Sequence, residues 1–193
     1  MFEPDIKLVF AIVGAVLSTI AAIPYIRDTL RGRTAPHMYT WLIWVITGAV
    51  AGAGAWHGNG GWGIIGHIVG TFFIIVIFLL SLKYGTRNIK RSDTVSLVVA
   101  LLAIVVWVQL ENPILSIFMI SAIDAVGYFP TYRKLWEEPR SETLFTWILY
   151  CATVSLSFFS LYEYNFLTSL YPAVILTCNI VVVALCILRR HKD

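Results

Sequence analysis

The sequence predicts an all-α integral membrane protein of seven transmembrane helices, laid out as two parallel three-helix repeats joined by a linker helix (3+1+3). Three observations carry that expectation. With 59% hydrophobic residues, 13% charged residues and a mean hydropathy of +0.80, the chain would coat a soluble domain in hydrocarbon. Seven apolar stretches are long enough, or nearly so, to cross about 30 Å of hydrocarbon at about 1.5 Å per residue. And one stretch is written twice: Pro24-Tyr25-Ile26-Arg27 running to Thr40-Trp41, then Pro130-Thr131-Tyr132-Arg133 running to Thr146-Trp147, at an offset of 106 positions.

In order, the apolar stretches run over 6–26, 37–56, 62–83, 94–110, 113–131, 143–162 and 166–188. The first is read as a retained helix, because its leader carries Glu3 and Asp5 where a cleavable signal needs net positive charge. The fourth and fifth are slightly short, and Asn112-Pro113 between them suits an N-cap followed by proline in the first turn, which marks a helix start. Ser92 and Ser141 are expected caps of the fourth and sixth helices. Loops of two to eleven residues make 1–193 a single transmembrane domain. Cys151, Cys178 and Cys186 fall inside the last two helices, where a thiol behaves as a small apolar side chain.

Lysine and arginine accumulate on the cytoplasmic side of a membrane protein. Of the 14 such residues, only Lys7 falls on one side of a seven-helix layout; the loops carrying Arg27, Arg31 and Arg33, then Lys83 to Arg91, then Arg133, Lys134 and Arg140, and the end of the chain, share the other. The expected orientation is N-terminus out and C-terminus in. The net charge of +3 is then a consequence of topology, and no nucleic-acid partner is expected.

The duplication has a geometric meaning. Without a gap, the same offset pairs Thr47 with Thr153, Thr71 with Thr177, Val76 with Val182, Leu79 with Leu185, and Lys83 with Arg189. Three helices per repeat would insert the second copy upside down unless one extra crossing restored its direction. The stretch 94–110 supplies that crossing between repeat one (6–83) and repeat two (113–189).

This layout resembles the SWEET and PQ-loop (MtN3-like) superfamily, whose members include sugar carriers, lysosomal amino acid exporters and the KDEL receptor. The resemblance covers the whole chain. It rests on the 3+1+3 topology, on a proline near the inner end of the first helix of each repeat (Pro24, Pro130), and on the basic loop that follows into Thr40-Trp41 and Thr146-Trp147. The chain is also similar to an uncharacterised group of bacterial membrane proteins of this layout, which implies a bacterial or archaeal cytoplasmic membrane. The proline-glutamine pair of PQ-loop proteins reads Pro24-Tyr25 and Pro130-Thr131 here.

Candidate site residues follow from the cost of polarity in hydrocarbon, on the order of 3 kcal/mol for a charge at the centre of a span. Asp124 is the one acidic residue deep in an expected span, about 16 Å along the fifth helix, and Ser18 is its equivalent in the first repeat. Ser121 and Tyr128 share its helix face and are expected to hydrogen-bond the carboxyl. Asp124 is read either as a substrate and proton-coupling group or as a carboxylic acid bonding a neighbouring helix. Asn179 lies at comparable depth in the seventh helix, near Thr177 and two turns after Pro172, a residue that frees a backbone carbonyl. The SWEET resemblance places a substrate-binding asparagine at the position of Asn179, with Phe73 as its equivalent. The bland alternative is interhelical glue.

His67 is a candidate proton relay toward Asp124, or a histidine bonded to backbone. Trp41, Trp44, Trp147 and Tyr150 stand at a depth where aromatic side chains usually form the interfacial belt, as Trp56, Trp62 and Trp136 are expected to do; the alternative for Trp41 and Trp147 is stacking on a solute. Gly48 and Gly52 form a GxxxG packing pair. Pro24 and Pro130, with Pro172, are candidate hinges, or the first two simply end their helices.

No zinc-type histidine pair, nucleophile elbow, phosphate loop or carboxylate dyad supports an enzyme, and no metal or cofactor is expected. A retinal protein would need a lysine deep in the last helix, which has none. The reading is a small-solute transporter working by alternating access, with proton coupling as an option; the alternative is a seven-helix receptor or scaffold that binds a peptide, lipid or protein partner. An oligomer stays open.

Overall fold

A computed structural model of the chain describes residues 6–57, 63–161 and 163–190, with side chains throughout except at 52–57 and 63–67. Among the described residues the only regular elements are seven helices: α1 (Ile6–Leu30), α2 (Met38–His57), α3 (Gly63–Tyr84), α4 (Arg91–Trp107), α5 (Pro113–Glu137), α6 (Leu144–Phe159) and α7 (Phe166–Arg190). Three of them, α1, α5 and α7, each 25 residues, are long and apolar enough to cross a membrane. The 17 residues of α4 and the 16 of α6 reach only about 24–26 Å at helical rise.

Asn112 caps α5 as the sequence predicts: its carboxamide oxygen accepts from the backbone N–H of Ile114 (3.0 Å) and Leu115 (3.1 Å), and Pro113 opens the first turn, where it has no hydrogen bond to lose. Two other caps differ from expectation. The cap of α4 is Lys90, whose backbone N–H donates to the Asp93 carboxylate (2.8 Å), so Ser92 lies inside the first turn. Thr143 caps α6, and Ser141 instead gives its carbonyl to the N–H of Ala35 (2.9 Å), joining the loop after α5 to the loop after α1. Gly32 turns the chain out of α1 with φ of 68°, a left-handed conformation that glycine adopts at no steric cost.

Neither Pro24 nor Pro130 ends its helix. Both α1 and α5 run on for nearly two turns, carrying Arg27, Asp28, Arg133 and Lys134 into ordered helix, and α7 is unbroken through Pro172. Close to Pro24, the Thr146 hydroxyl donates to Ala21 O (3.0 Å), a donor from α6 beside the backbone that the proline disturbs.

Contacts follow a pattern that maps onto itself when α1, α2 and α3 are exchanged with α5, α6 and α7. Thus α1–α3 answers α5–α7, α2–α3 answers α6–α7, and α1–α6 answers α5–α2, while α4 packs on α5 and α2. At Gly85 a Cβ would lie 2.2 Å from Ser81 O, so only glycine fits there, and at Gly127 a Cβ would lie 3.0 Å from Trp44 Nε1, so α2 and α5 meet closely.

The distribution of polarity is inverted relative to a water-soluble bundle. Thr40, Thr146, Asp93, Asp124, Lys134, Glu142 and Asn179 are buried. Ile12, Val16, Ile20 and Ile23 of α1, and Val95, Val98, Leu102 and Val105 of α4, form exposed apolar stripes at helical spacing.

Candidate functional site

The helices enclose a cavity of about 830 Å³, lined by side chains of every helix. Its rim includes Trp107 at the end of α4, Pro113 at the start of α5 and Leu167 at the start of α7, and its floor is aromatic. Asp124 and Asn179 line it from α5 and α7, and Ser18 from α1.

Around Asp124 the bonds run between helices. Tyr171 O–H of α7 donates to Asp124 Oδ2 (2.7 Å), Tyr128 O–H of α5 donates to Asn179 Oδ1 (2.8 Å), and Trp44 Nε1–H of α2 reaches the Asp124 carbonyl (3.5 Å). These corrections matter for the sequence reading. Tyr128 engages Asn179 rather than Asp124, because its ring lies against Trp44 with centroids 4.6 Å apart and points the hydroxyl toward α7. Ser121 donates to Ile117 O of its own helix (2.6 Å), as a short hydroxyl in a helix commonly does. Thr177 likewise bonds Ala173 O (2.8 Å) from the outer face of α7, outside the cavity.

Trp41 and Trp147 are 2% and 1% exposed, so neither belongs to an interfacial belt. With Trp44, Tyr25, Tyr128 and Tyr150 they form one edge-to-face cluster with centroids 4.6–6.5 Å apart, geometry that aromatic quadrupoles favour. Trp136, at 58% exposure beside Arg189 on the outer surface, fits the belt. The side chains of His67, Gly52, Trp56 and Trp62 lie outside the described residues.

Beneath the aromatic floor, two charged networks close the opposite end. Buried Lys134 Nζ donates to Glu142 Oε1 (2.5 Å), Ala35 O (2.5 Å) and Ser141 O (3.4 Å), while Glu142 Oε2 accepts Trp147 Nε1–H (3.0 Å). The ion pair is therefore wired to the cavity floor through one indole. In the second network, Arg133 forks onto Asp93 through Nε (2.7 Å) and Nη2 (2.6 Å), and His37 Nε2 lies 3.2 Å from Asp93 Oδ2. This ties the first turn of α4 to α5 and to the loop before α2.

Burial pushes the His37 imidazole down to about 4, although Asp93 pulls it the other way.

Of the sequence-predicted residues, the fold brings Ser18, Trp41, Asp124, Trp147 and Asn179 to one cavity and leaves Ser121 and Thr177 off it. Sequence reasoning missed Tyr171, although it precedes Asn179 by two helical turns and so shares its face. It read Arg133 and Lys134 as loop charges alone and missed both networks, whose partners come from distant positions with no local spacing to announce them. No family model, no curated protein and no solved structure matches the chain.

Proposed function

We propose that this protein is a seven-span membrane transporter that moves a small solute by alternating access around Asp124 and Asn179. The observation that supports it best is the cavity itself: about 830 Å³, with a carboxyl and a carboxamide from two helices facing it, a rim at one end and a doubly bolted floor at the other. Polar groups held inside and apolar stripes held outside are the arrangement that lipid favours, so α2, α3, α4 and α6 join α1, α5 and α7 as spans. The shorter helices are accommodated by local thinning of the bilayer.

In this reading the two three-helix groups are parallel repeats with α4 as linker, the N-terminus is outside, and the cavity faces outward. The repeats rock about the site, with Pro24 and Pro130 as matched weak points in α1 and α5. Opening the other end requires separating the Ala35–Ser141 contact and re-forming the Lys134 and Arg133 networks. Asp124 is the group through which a coupled proton is carried. A receptor reading would rely on a basic inner surface; Arg133, Lys134 and Arg190 are engaged with their own chain, and the exposed Arg31, Arg33, Arg87, Arg91 and Arg140 are the side chains that reading would use.

The test is cysteine accessibility in a background with Cys151, Cys178 and Cys186 replaced. Ser116→Cys at the cavity should react with an impermeant maleimide from the outer side, and Thr34→Cys at the closed end should react from the inner side in a minor, interconverting fraction. Labelled solutes should exchange across proteoliposomes only while Asp124 and Asn179 are intact. Failure of Thr34→Cys to react from either side, together with no exchange of any sugar, amino acid, vitamin or nucleoside, would sink the transport reading.

A further inference from the structure

The closed end is held in part by an imidazole with one nitrogen left over. His37 stands immediately before α2 and is fully buried. Its Nε2 lies 3.2 Å from Asp93 Oδ2 in the first turn of α4, and its ring meets Tyr39 edge to face with centroids 5.6 Å apart. The backbone before it is pinned on two sides, by Thr86 N–H donating to Pro36 O (3.1 Å) and by Ala35 N–H donating to Ser141 O (2.9 Å). Nδ1, also buried, has no hydrogen-bond partner among the described residues. A neutral ring suits this setting, with one N–H donating to Asp93 and one bare lone pair on the packed side.

The Asp93 carboxylate does not call for a second cation. Arg133 forks onto both of its oxygens, and the Lys90 backbone N–H donates to Oδ2 (2.8 Å). The charges around His37 are Asp93 from α4 and Arg133 and Lys134 from α5, with Glu137 on the far side of Arg133 and Glu142 on the far side of Lys134. A proton on His37 would set a third cation beside Arg133 and Lys134, and would turn Nδ1 into a buried N–H with no acceptor. Burial already holds the ring down to about 4 against the pull of Asp93.

We propose that His37 is a proton-sensitive catch on the closed end: neutral, it holds the loop between α1 and α2 against α4, and protonated, it releases that loop and favours opening to the inner side. The consequence for solute movement rests on the transport reading, but release of the loop is measurable without transport. In a transporter the catch makes inner access rise with acidity on that side, separately from any proton carried at Asp124.

The direction follows from linkage. Once water reaches the ring it returns to about 6.5, so below that pH the open form binds more protons than the closed one, and acid favours it. With the closed form at about 4, the open-to-closed ratio should rise by roughly 30-fold at most between about pH 7.5 and about pH 5. Carboxylates of ordinary affinity stay mostly ionised over that interval.

Nitroxide labels on Arg33→Cys, after α1, and Arg91→Cys, at the start of α4, both exposed positions, span the catch. With Cys151, Cys178 and Cys186 replaced, double electron–electron resonance in phosphatidylcholine nanodiscs reads their separation at about pH 7.5, 6 and 5. A longer-distance population should grow on the order of tenfold on acidification, and His37→Gln, whose neutral amide can still donate to Asp93, should keep the distribution seen at pH 7.5. A rise below about threefold in wild type, or an equal rise in His37→Gln, overturns the catch. Should His37→Gln not fold, the wild-type midpoint decides: between about 4 and about 6.5 it belongs to the imidazole, and below that range it belongs to carboxylates and the catch is overturned. Solute exchange in proteoliposomes separates the two readings. Acid release without exchange of any sugar, amino acid, vitamin or nucleoside fails the transport reading and keeps the catch; exchange with pH-independent distances does the reverse.

Discussion

Lys134 is the side chain whose removal should cost this fold most. Its ammonium is fully buried, gives two bonds at 2.5 Å to Ala35 O and Glu142 Oε1 and a longer one to Ser141 O, and sits where the loops after α1 and α5 meet. Lys134→Met keeps the volume of the stem but leaves the Glu142 carboxylate with the Trp147 N–H as its remaining donor on that face. Breaking one side of a buried pair costs about 3–5 kcal/mol, because the surviving charge is stranded. For a chain of this length each kcal/mol moves the midpoint by about 2–4 °C, so the single variant should melt on the order of 10 °C lower. Lys134→Met with Glu142→Gln removes both charges and should recover more than half of that loss, a coupling expected only if the two side chains act on each other. The assay is thermal unfolding in one detergent, followed by tryptophan fluorescence for wild type, both single variants and the double variant. Additive losses across the four proteins, or a Lys134→Met midpoint within about 2 °C of wild type, would refute the claim that this pair bolts the closed end.

Three further perturbations follow from the same geometry. His37 stays neutral in the fold down to about pH 4 but protonates near its ordinary 6.5 when unfolded, so the unfolded chain binds more protons in that window. Stability should therefore fall as pH drops from about 6.5 toward 4, by at most about 1.4 kcal/mol per pH unit. Melting curves of His37→Gln should be flatter over that window. Gly127→Ala would bring a methyl to 3.0 Å from Trp44 Nε1 and 3.2 Å from Ile43 Cγ2, so it should destabilise by about 1–3 kcal/mol, which melting of the variant checks. Tyr128→Phe deletes the 2.8 Å bond to Asn179 and should cost about 1 kcal/mol in the melt, whereas Ser121→Ala, whose hydroxyl bonds only its own helix, should cost less.

The helices were legible because hydrocarbon imposes a length and a composition, and both are written in runs of apolar residues. The C-terminal ends of α1 and α5 were not. In α1 and α5 the run stops near Pro24 and Pro130, yet helix continues through Asp28 and Lys134, because the charges there find partners in other loops instead of water. The caps at Ser92 and Ser141 failed for the same reason: Asp93 closes the start of α4, and Ser141 is held by Ala35. At the site, Asp124, Asn179 and Ser18 were legible since a polar side chain within an apolar stretch is driven inward by the cost of exposing it to lipid. Their partners were not, since Tyr171 and Tyr128 reach across from separate helices, and hydropathy carries no register between helices. The tryptophans misled because depth is common to a belt and a core; only the facing direction, fixed by packing of α2 on α5 and α6 on α1, distinguishes them.

Positions paired by the sequence offset fall into two kinds. At the offset of 106, Trp41 and Trp147 remain tryptophan and both stay in the floor, and Thr47 and Thr153 both line the cavity. Other positions at the same offset differ in polarity: Ser18 pairs with Asp124, Phe73 with Asn179, Asp28 with Lys134 and His37 with Thr143. The two tryptophans pack into one aromatic cluster, and packing tolerates identical side chains. A single carboxyl cannot be duplicated across a cavity without placing two like charges in low dielectric, where each would oppose the other's ionisation. With Ser18 at the position paired to it, Asp124 is the only acidic side chain among the described residues lining the cavity. By the same argument, Ser18→Asp should be tolerated only if one of the two carboxyls stays protonated: raising the pH from about 5 to about 8 should lower the melting midpoint of the variant more than that of wild type, and an equal pH dependence would show that the two carboxyls do not interact.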